Sequence, residues 1–229
     1  MRLDKFITQA TELTRSNAKK ALHRGDVTVD GEVEKDSGFK LKAGMQVCLE
    51  GQVLSLIGQR YIMMHKPDGF ISSTVDEQLP SALNLIDIIK KDQLHIAGRL
   101  DADTTGLLLL TDDGNWSHRI TSPNKAVGKR YRVQLADAIT NEAISELEQG
   151  VMLRSEDKPT RPAKITVIED KLVLLEIKEG KYHQVKRMFA AVGNKVIGLH
   201  REAISSIELD DSLEPGQWRF LNEDEINAF

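Results

Sequence analysis

One cysteine, Cys48, stands among 229 residues, so the chain forms no internal disulfide and offers no cysteine-based zinc site. Aromatic residues make up only 5% of the chain, and no apolar run approaches the roughly 20 residues that a membrane-crossing helix requires. The opening Met1-Arg2-Leu3-Asp4-Lys5 lacks the apolar stretch of a secretion signal. No Gly-x-x-x-x-Gly-Lys loop is present to cradle a nucleotide's phosphates. With 40% hydrophobic and 29% charged residues, the composition is that of a globular protein, expected to be soluble and cytoplasmic.

A net charge of −4 argues at first against a nucleic-acid partner, but the charge is unevenly placed. Eight acids and one base, Arg219, lie between Glu202 and the C-terminus. Of the 31 bases and 35 acids in the whole chain, the first 201 residues hold 30 and 27. Arg2, Lys5, Arg15, Lys19, Lys20 and Arg24 face only Asp4 and Glu12 over the first 24 residues. Phosphate binding depends on such local clusters rather than on the whole-chain sum. A solvated helix face accounts for the same run when it is taken alone.

Leu3, Phe6, Ile7 and Ala10 recur at helical spacing. Thr14 or Ser16 is placed to cap a second helix, which Gly25 ends, with Arg15, Lys19, Lys20, His23 and Arg24 on its outer face. Val27 and Val29 alternate towards the turn Asp30-Gly31, with Val33 beyond. These elements predict a small unit over residues 1–58, with Glu50–Arg60 as its linker to a larger domain over 59–229. In the larger domain strands are predicted at Tyr61–Met64, Leu107–Leu110, Tyr131–Leu135, Ile165–Ile168 and Leu172–Ile177. Helices are predicted at Ser81–Lys91, Trp116–Ile120, Asn141–Gln149 and Tyr182–Val192. Strands outnumber helices without strict alternation, which points to an α+β fold with a mainly antiparallel sheet.

The richest chemistry lies in Gly98-Arg99-Leu100-Asp101-Ala102-Asp103-Thr104-Thr105-Gly106, followed by four leucines, Leu107–Leu110. An acid at the edge of an apolar wall is a reagent whose charge depends on burial and neighbouring cations. Asp101, Asp103, Asp112 and Asp113 suggest a magnesium cluster, yet Asp112-Asp113-Gly114-Asn115 has the composition of a turn and helix cap. A glycosidase-like pair of Asp101 and Asp103 needs groups about 5 Å or more apart across a bond, which two positions in one loop supply only under strain. One of the two is expected to face the site and the other to hold the loop. Nothing resembles a nucleophile elbow. In the Tyr182–Val192 segment, Val185, Met188, Phe189 and Val192 form an apolar stripe, and His183, Lys186 and Arg187 lie together on another face.

These residues carry a resemblance. Gly98-Arg99-Leu100-Asp101-x-Asp103-Thr104-Thr105-Gly106-Leu107 resembles the signature of pseudouridine synthases of the RsuA/RluA type. Lys66-Pro67-x-Gly69, Lys129-x-Tyr131 and Glu179-Gly180-Lys181-Tyr182-His183-Gln184-Val185-Lys186-Arg187-Met188 match further motifs of that family in order. The segment from Arg2 to Gly31 resembles the S4-like RNA-binding domain that many members carry in front. Residues 111–123 and 182–189 are worded most like the small-subunit branch, with the large-subunit enzymes as the near alternative and a non-catalytic S4-type RNA-binding protein as a second one.

The resemblance implies isomerisation of a uridine in ribosomal RNA: the N-glycosidic bond breaks, the uracil turns, and a carbon–carbon bond forms to the same sugar. No cofactor or metal is then required, and a monomer acting on small-subunit RNA or an assembly particle is implied. Asp101 takes the essential carboxylate role, acting on either the sugar or the ring, and each role requires the ionised form. Lys186 is assigned as its cation, with Arg187 in reserve. Tyr131 is placed against a uracil that has left its stack. Arg99, His183 and Arg187, together with Arg15, Lys19, Lys20 and Arg24, are the expected RNA contacts. Leu107–Leu110 and Val185 would keep water from the detached base, and the hydroxyls of Thr104 and Thr105 would hold the loop.

Overall fold

A computed structural model describes all 229 residues. The chain divides into two compact units, Met1–Gln59 with Ile88–Lys91 and Arg60–Asp87 with Asp92–Phe229.

In the first unit, α1 (Leu3–Ala10) and α2 (Arg15–Arg24) precede four short strands, β1 (Val27–Val29), β2 (Glu32–Val33), β3 (Val47–Leu49) and β4 (Gln52–Leu54). Thr14 caps α2 by accepting from the Asn17 amide, and Gly25, at φ +86°, ends it. The strands form an antiparallel sheet in the order β2-β1-β3-β4. Leu3, Ile7, Ala18, Leu22, Val27 and Val47 make its core. The stretch Glu50–Arg60, expected as a linker, begins instead as part of the small sheet. Glu50 and Gly51 both have positive φ, which makes a tight hairpin turn, and Gln52–Leu54 returns along β3 as a strand.

The second unit is built on one large sheet. Its strands are β5 (Tyr61–Lys66), β6 (His95–Ile96), β7 (Thr104–Thr111), β8 (Lys129–Leu135), β9 (Lys164–Glu169), β10 (Leu172–Ile177), β11 (Val196–Ile204), β12 (Ile207–Glu208) and β13 (Trp218–Phe220). The order is β13-β5-β7-β11-β8-β10-β9, with β6 beside β7 and β12 beside β11. Only β7 and β11 pair in parallel, so the sheet is mixed and mainly antiparallel, as expected of an α+β fold. Helices α3 (Gly114–Thr121), α4 (Asn141–Gln149), α5 (Gln184–Ala191) and α6 (Glu223–Ile226) complete the unit.

Asp113 caps α3 through the amides of Asn115 and Trp116, and Asp112 accepts from the Arg60 amide and guanidinium, so both members of the acidic pair have structural partners. Trp116 is fully buried with Met63, Leu107, Leu109, Ile120 and Ile204, and its indole N–H donates to the Ile226 carbonyl. The helix expected over Ser81–Lys91 does not form, and only a 3₁₀ turn at Ala82–Leu85 is present. Asp76 binds the Ser81 amide and the Asn84 side chain, Ile86 is extended, and Lys90 has φ +54°. Local side-chain bonds and β-branched residues outweigh the helical spacing here. The helix expected over Tyr182–Val192 is shorter, Gln184–Ala191, because His183 is left-handed at its start.

Four of the eight acids of the C-terminal stretch are paired within the unit. Glu202 meets Arg130 and Arg132, Glu208 meets Arg130, and Asp210 and Glu225 flank Arg219.

Candidate active site

The Asp101 loop enters β7 and is held by two buried cations. Lys66 ends β5 with no exposed surface, and its ammonium donates to the carbonyls of Pro67, Ala102 and Thr104 at 2.9, 3.0 and 2.9 Å. Arg201, on β11, is also buried, and its guanidinium donates to Leu107 at 2.8 Å, Gly98 at 2.8 Å and Arg99 at 3.4 Å. The Leu100 amide donates to Ser72 Oγ, and the Gly69 amide to the Ala102 carbonyl. The loop therefore has its backbone fixed on both flanks of Asp101, the kind of support that keeps a reactive group in register.

The Asp101 side chain is 28% exposed, with Oδ2 at 3.2 Å from Lys186 Nζ and Oδ1 at 3.4 Å from His183 Nε2. Lys186 also contacts Asp103 at 2.5 Å, although the Asp103 side chain is mostly in solvent. Burial alone would lower the Lys186 pKa, but the bonds to Asp103 and Asp101 outweigh it and hold it above the usual lysine value. The hydrogen bond from Lys186 keeps Asp103 below the usual carboxylate range. Asp103 thus serves the lysine, and its carboxylate also accepts from its own backbone amide within the loop.

Arg187, the reserve cation, turns away. It donates to Glu156 and to the carbonyls of Tyr182 and Arg154, tying the segment around 154–156 to α5. Gln184, buried at the first position of α5, accepts from the Lys181 amide and donates to Glu179.

Asp101, His183, Lys186, Gln184 and Arg201 line a cleft of about 650 Å³, and Lys66, Asp103 and Arg187 lie outside its lining. Asp101, Arg99, His183 and Lys186 stand on it beside Tyr131, which is 8% exposed on β8. The apolar lining differs from expectation. Leu107–Leu110 are fully buried in the core, and the cleft wall is made by Leu100, Val127, Ile177, Val185 and Leu199. Thr105 Oγ1 meets His200 Nδ1 at 2.8 Å, whereas the Thr104 hydroxyl is buried without a partner, and its carbonyl is what anchors the loop. In the first unit Arg15, Lys19, Lys20 and Arg24 are exposed on α2, with Arg24 bonded to Asp26.

Lys66, Arg201 and Gln184 had no assigned role in the sequence. Lys66 shares the parity of Ile62 and Met64 along β5, and that alternation is the signal that it points inwards. Lys129 sits near Tyr131 in the cleft, bonded to the Val127 carbonyl, and burial pushes it down to about 8.

The cleft thus brings together a carboxylate, a lysine ammonium against it, an apolar wall and a tyrosine ring. Residues 60–191 match the family model described as RNA pseudouridylate synthase, and residues 1–47 match the S4 domain. The chain belongs to the RNA pseudouridylate synthase family and is an isomerase. Among its relatives, a Vibrio cholerae protein named ribosomal small subunit pseudouridine synthase A is 54% identical over 99% of this chain and 98% of its own length. The protein of that name from Pasteurella multocida is 49% identical over 100% of this chain and 99% of its own. A crystal structure of a pseudouridylate synthase superposes with a TM-score of 0.72 at 45% identity, covering 100% of this chain and 99% of that one.

Proposed function

We propose that the protein isomerises one uridine of small-subunit ribosomal RNA to pseudouridine, with Asp101 as the essential carboxylate. The carrying observation is the position of Asp101: on a loop pinned by Lys66 and Arg201, facing a cleft and 3.2 Å from the Lys186 ammonium. Lys186 supplies the countercharge to the carboxylate and to charge that develops on the base. Tyr131 offers the ring against which a flipped uracil stacks, repaying part of the few kcal/mol needed to extract it. The apolar wall of Leu100, Val127, Ile177, Val185 and Leu199 shields the detached base from hydrolysis.

Arg99 at the cleft rim contacts the phosphates or fills the vacated stack. His183 flanks Asp101, and Arg187 adds charge while holding the 154–156 segment. Arg15, Lys19, Lys20 and Arg24 on α2 bind phosphates, so residues 1–58 recruit the RNA and residues 59–229 modify it. Isomerisation transfers no group and no electrons to a second molecule, so no cofactor takes part. The carboxylate, lysine and tyrosine come from one chain, which favours a monomer. No helix is long and apolar enough to cross a membrane, and ribosomal RNA as substrate implies the cytoplasm. The full-length relatives named for the small subunit favour that RNA over the large-subunit alternative.

Asp101→Asn is expected to abolish pseudouridine formation while RNA affinity stays within about twofold, and unchanged turnover would overturn the assignment. Pseudouridine mapping in cells lacking the protein tests the target. Loss at one small-subunit site supports the reading, and loss confined to large-subunit RNA replaces it.

A further inference from the structure

Only three tyrosines occur in the chain, and two are accounted for. Tyr61 donates to Asp113, and Tyr131 is buried on the cleft wall. Tyr182 is different. It lines the same cleft, yet at 76% it is the most exposed of the large hydrophobic side chains. Its ring lies against the His183 imidazole, with centroids 3.8 Å apart and planes within 20°.

The stack is built into the loop. His183 holds φ +46°, a conformation rare for a residue with a side chain, and its ring lies between Tyr182 and Asp101. The Tyr182 carbonyl accepts from Arg187, and Gln184 fixes the turn at Lys181 and Glu179. One face of a fixed aromatic ring is therefore covered by histidine while most of the side chain stays in water. Strain and exposure of this kind concentrate at binding sites.

We propose that the open face of Tyr182 is a second base-stacking site, taking the nucleobase next to the target uridine. This rests on reading the cleft as a uridine site. Extracting one base from a helix leaves its neighbours without a stacking partner on one side. A flat ring at the cleft opening replaces that partner, and it accepts any base because every base has a π-face. The sites divide the work: Tyr131 receives the extracted uracil, and Tyr182 steadies the strand from which it came.

The test uses the full-length protein and an rRNA fragment carrying the mapped uridine, with the fluorescent base 2-aminopurine as its neighbour. Tyr182→Ala is expected to raise KM about tenfold with kcat little changed, and Tyr182→Phe, which keeps the ring, restores KM. The 2-aminopurine signal is quenched on binding the wild type and Tyr182→Phe but not Tyr182→Ala. Because the side chain is exposed, the alanine variant should melt like the wild type. An unchanged KM, or quenching that survives in Tyr182→Ala, overturns the proposal. A loss in kcat at unchanged KM also overturns it, because the ring would then act through His183 on Asp101. If the wild type itself makes no pseudouridine in any RNA, the uridine-site reading has failed, and this proposal with it.

Discussion

Lys66 and Lys129 are buried with their ammonium groups facing backbone carbonyls. Neither has a carboxylate within ion-pair distance, so desolvation dominates and pushes both down to about 8. Nearby Asp68, Asp103 and Asp101 restrain the shift at Lys66, and Arg201 adds to it at both. The consequence for stability has a definite sign. Below about pH 8 both lysines are charged in the folded and the unfolded chain, and the burial penalty is present in full. Between about 8 and the unfolded value of 10.5, the unfolded chain binds more protons, so stability rises with pH. Urea unfolding from about pH 8 to 9.5 should show an increase on the order of 1 kcal/mol per lysine, and Lys129→Met should flatten the slope by about half. A midpoint that falls over this range, or a slope indifferent to Lys129→Met, removes the desolvation argument.

At the level of elements, the site depends on the parallel contact between β7 and β11. Gly106 pairs with Arg201 there, and a Cβ at Gly106 would lie 2.3 Å from the Arg201 carbonyl oxygen and 2.7 Å from its nitrogen. With φ +104° as well, no side chain fits without parting the strands. Since Arg201 also anchors Gly98 and Arg99, parting the strands releases the Asp101 loop. Gly106→Ala should therefore destabilise by on the order of 3 kcal/mol in urea unfolding and lower kcat. Gly114→Ala, in open space at the start of α3, should stay within about 1 kcal/mol of wild type. Equal stability of the two variants would refute the close-packed account. The glycine was legible in the sequence as part of a motif, but its reason was not, because β11 itself was not foreseen. Gly198, His200, Arg201 and Glu202 interrupt the apolar alternation of Val196–Ile204, and a buried arginine in mid-strand reads as a surface residue until its carbonyl partners are seen. The reverse holds at Ser81–Lys91, where helical spacing loses to local bonds from Asp76 and Ser81. Asp101, Lys186 and His183 were legible because they sit in short contiguous motifs. The cleft wall was not, since Leu100, Val127, Ile177, Val185 and Leu199 come from five separate segments that only the folded chain assembles.

For the molecule as a whole, a net charge of −4 must be reconciled with a polyanionic substrate. Pairing within the second unit resolves part of this: Glu202, Glu208, Asp210 and Glu225 are matched by Arg130, Arg132 and Arg219 and present little free negative field. On α2, Arg15, Lys19 and Lys20 are exposed cations, while Ala18, Ala21 and Leu22 carry the packing of that helix. Replacing the three cations by alanine therefore removes charge without touching the core, and a small gain in helix propensity accompanies it. Each phosphate neutralised contributes about 0.7–0.9 to the slope of log affinity against log salt, so the triple variant should lose about 2–3 from that slope. The second unit keeps its cleft, so at saturating RNA the single-turnover rate should match the wild type while KM rises most at low salt. Titrating affinity against salt for both proteins decides the matter. An unchanged slope would mean that the α2 face is merely solvated and that RNA is held by the cations around the cleft alone.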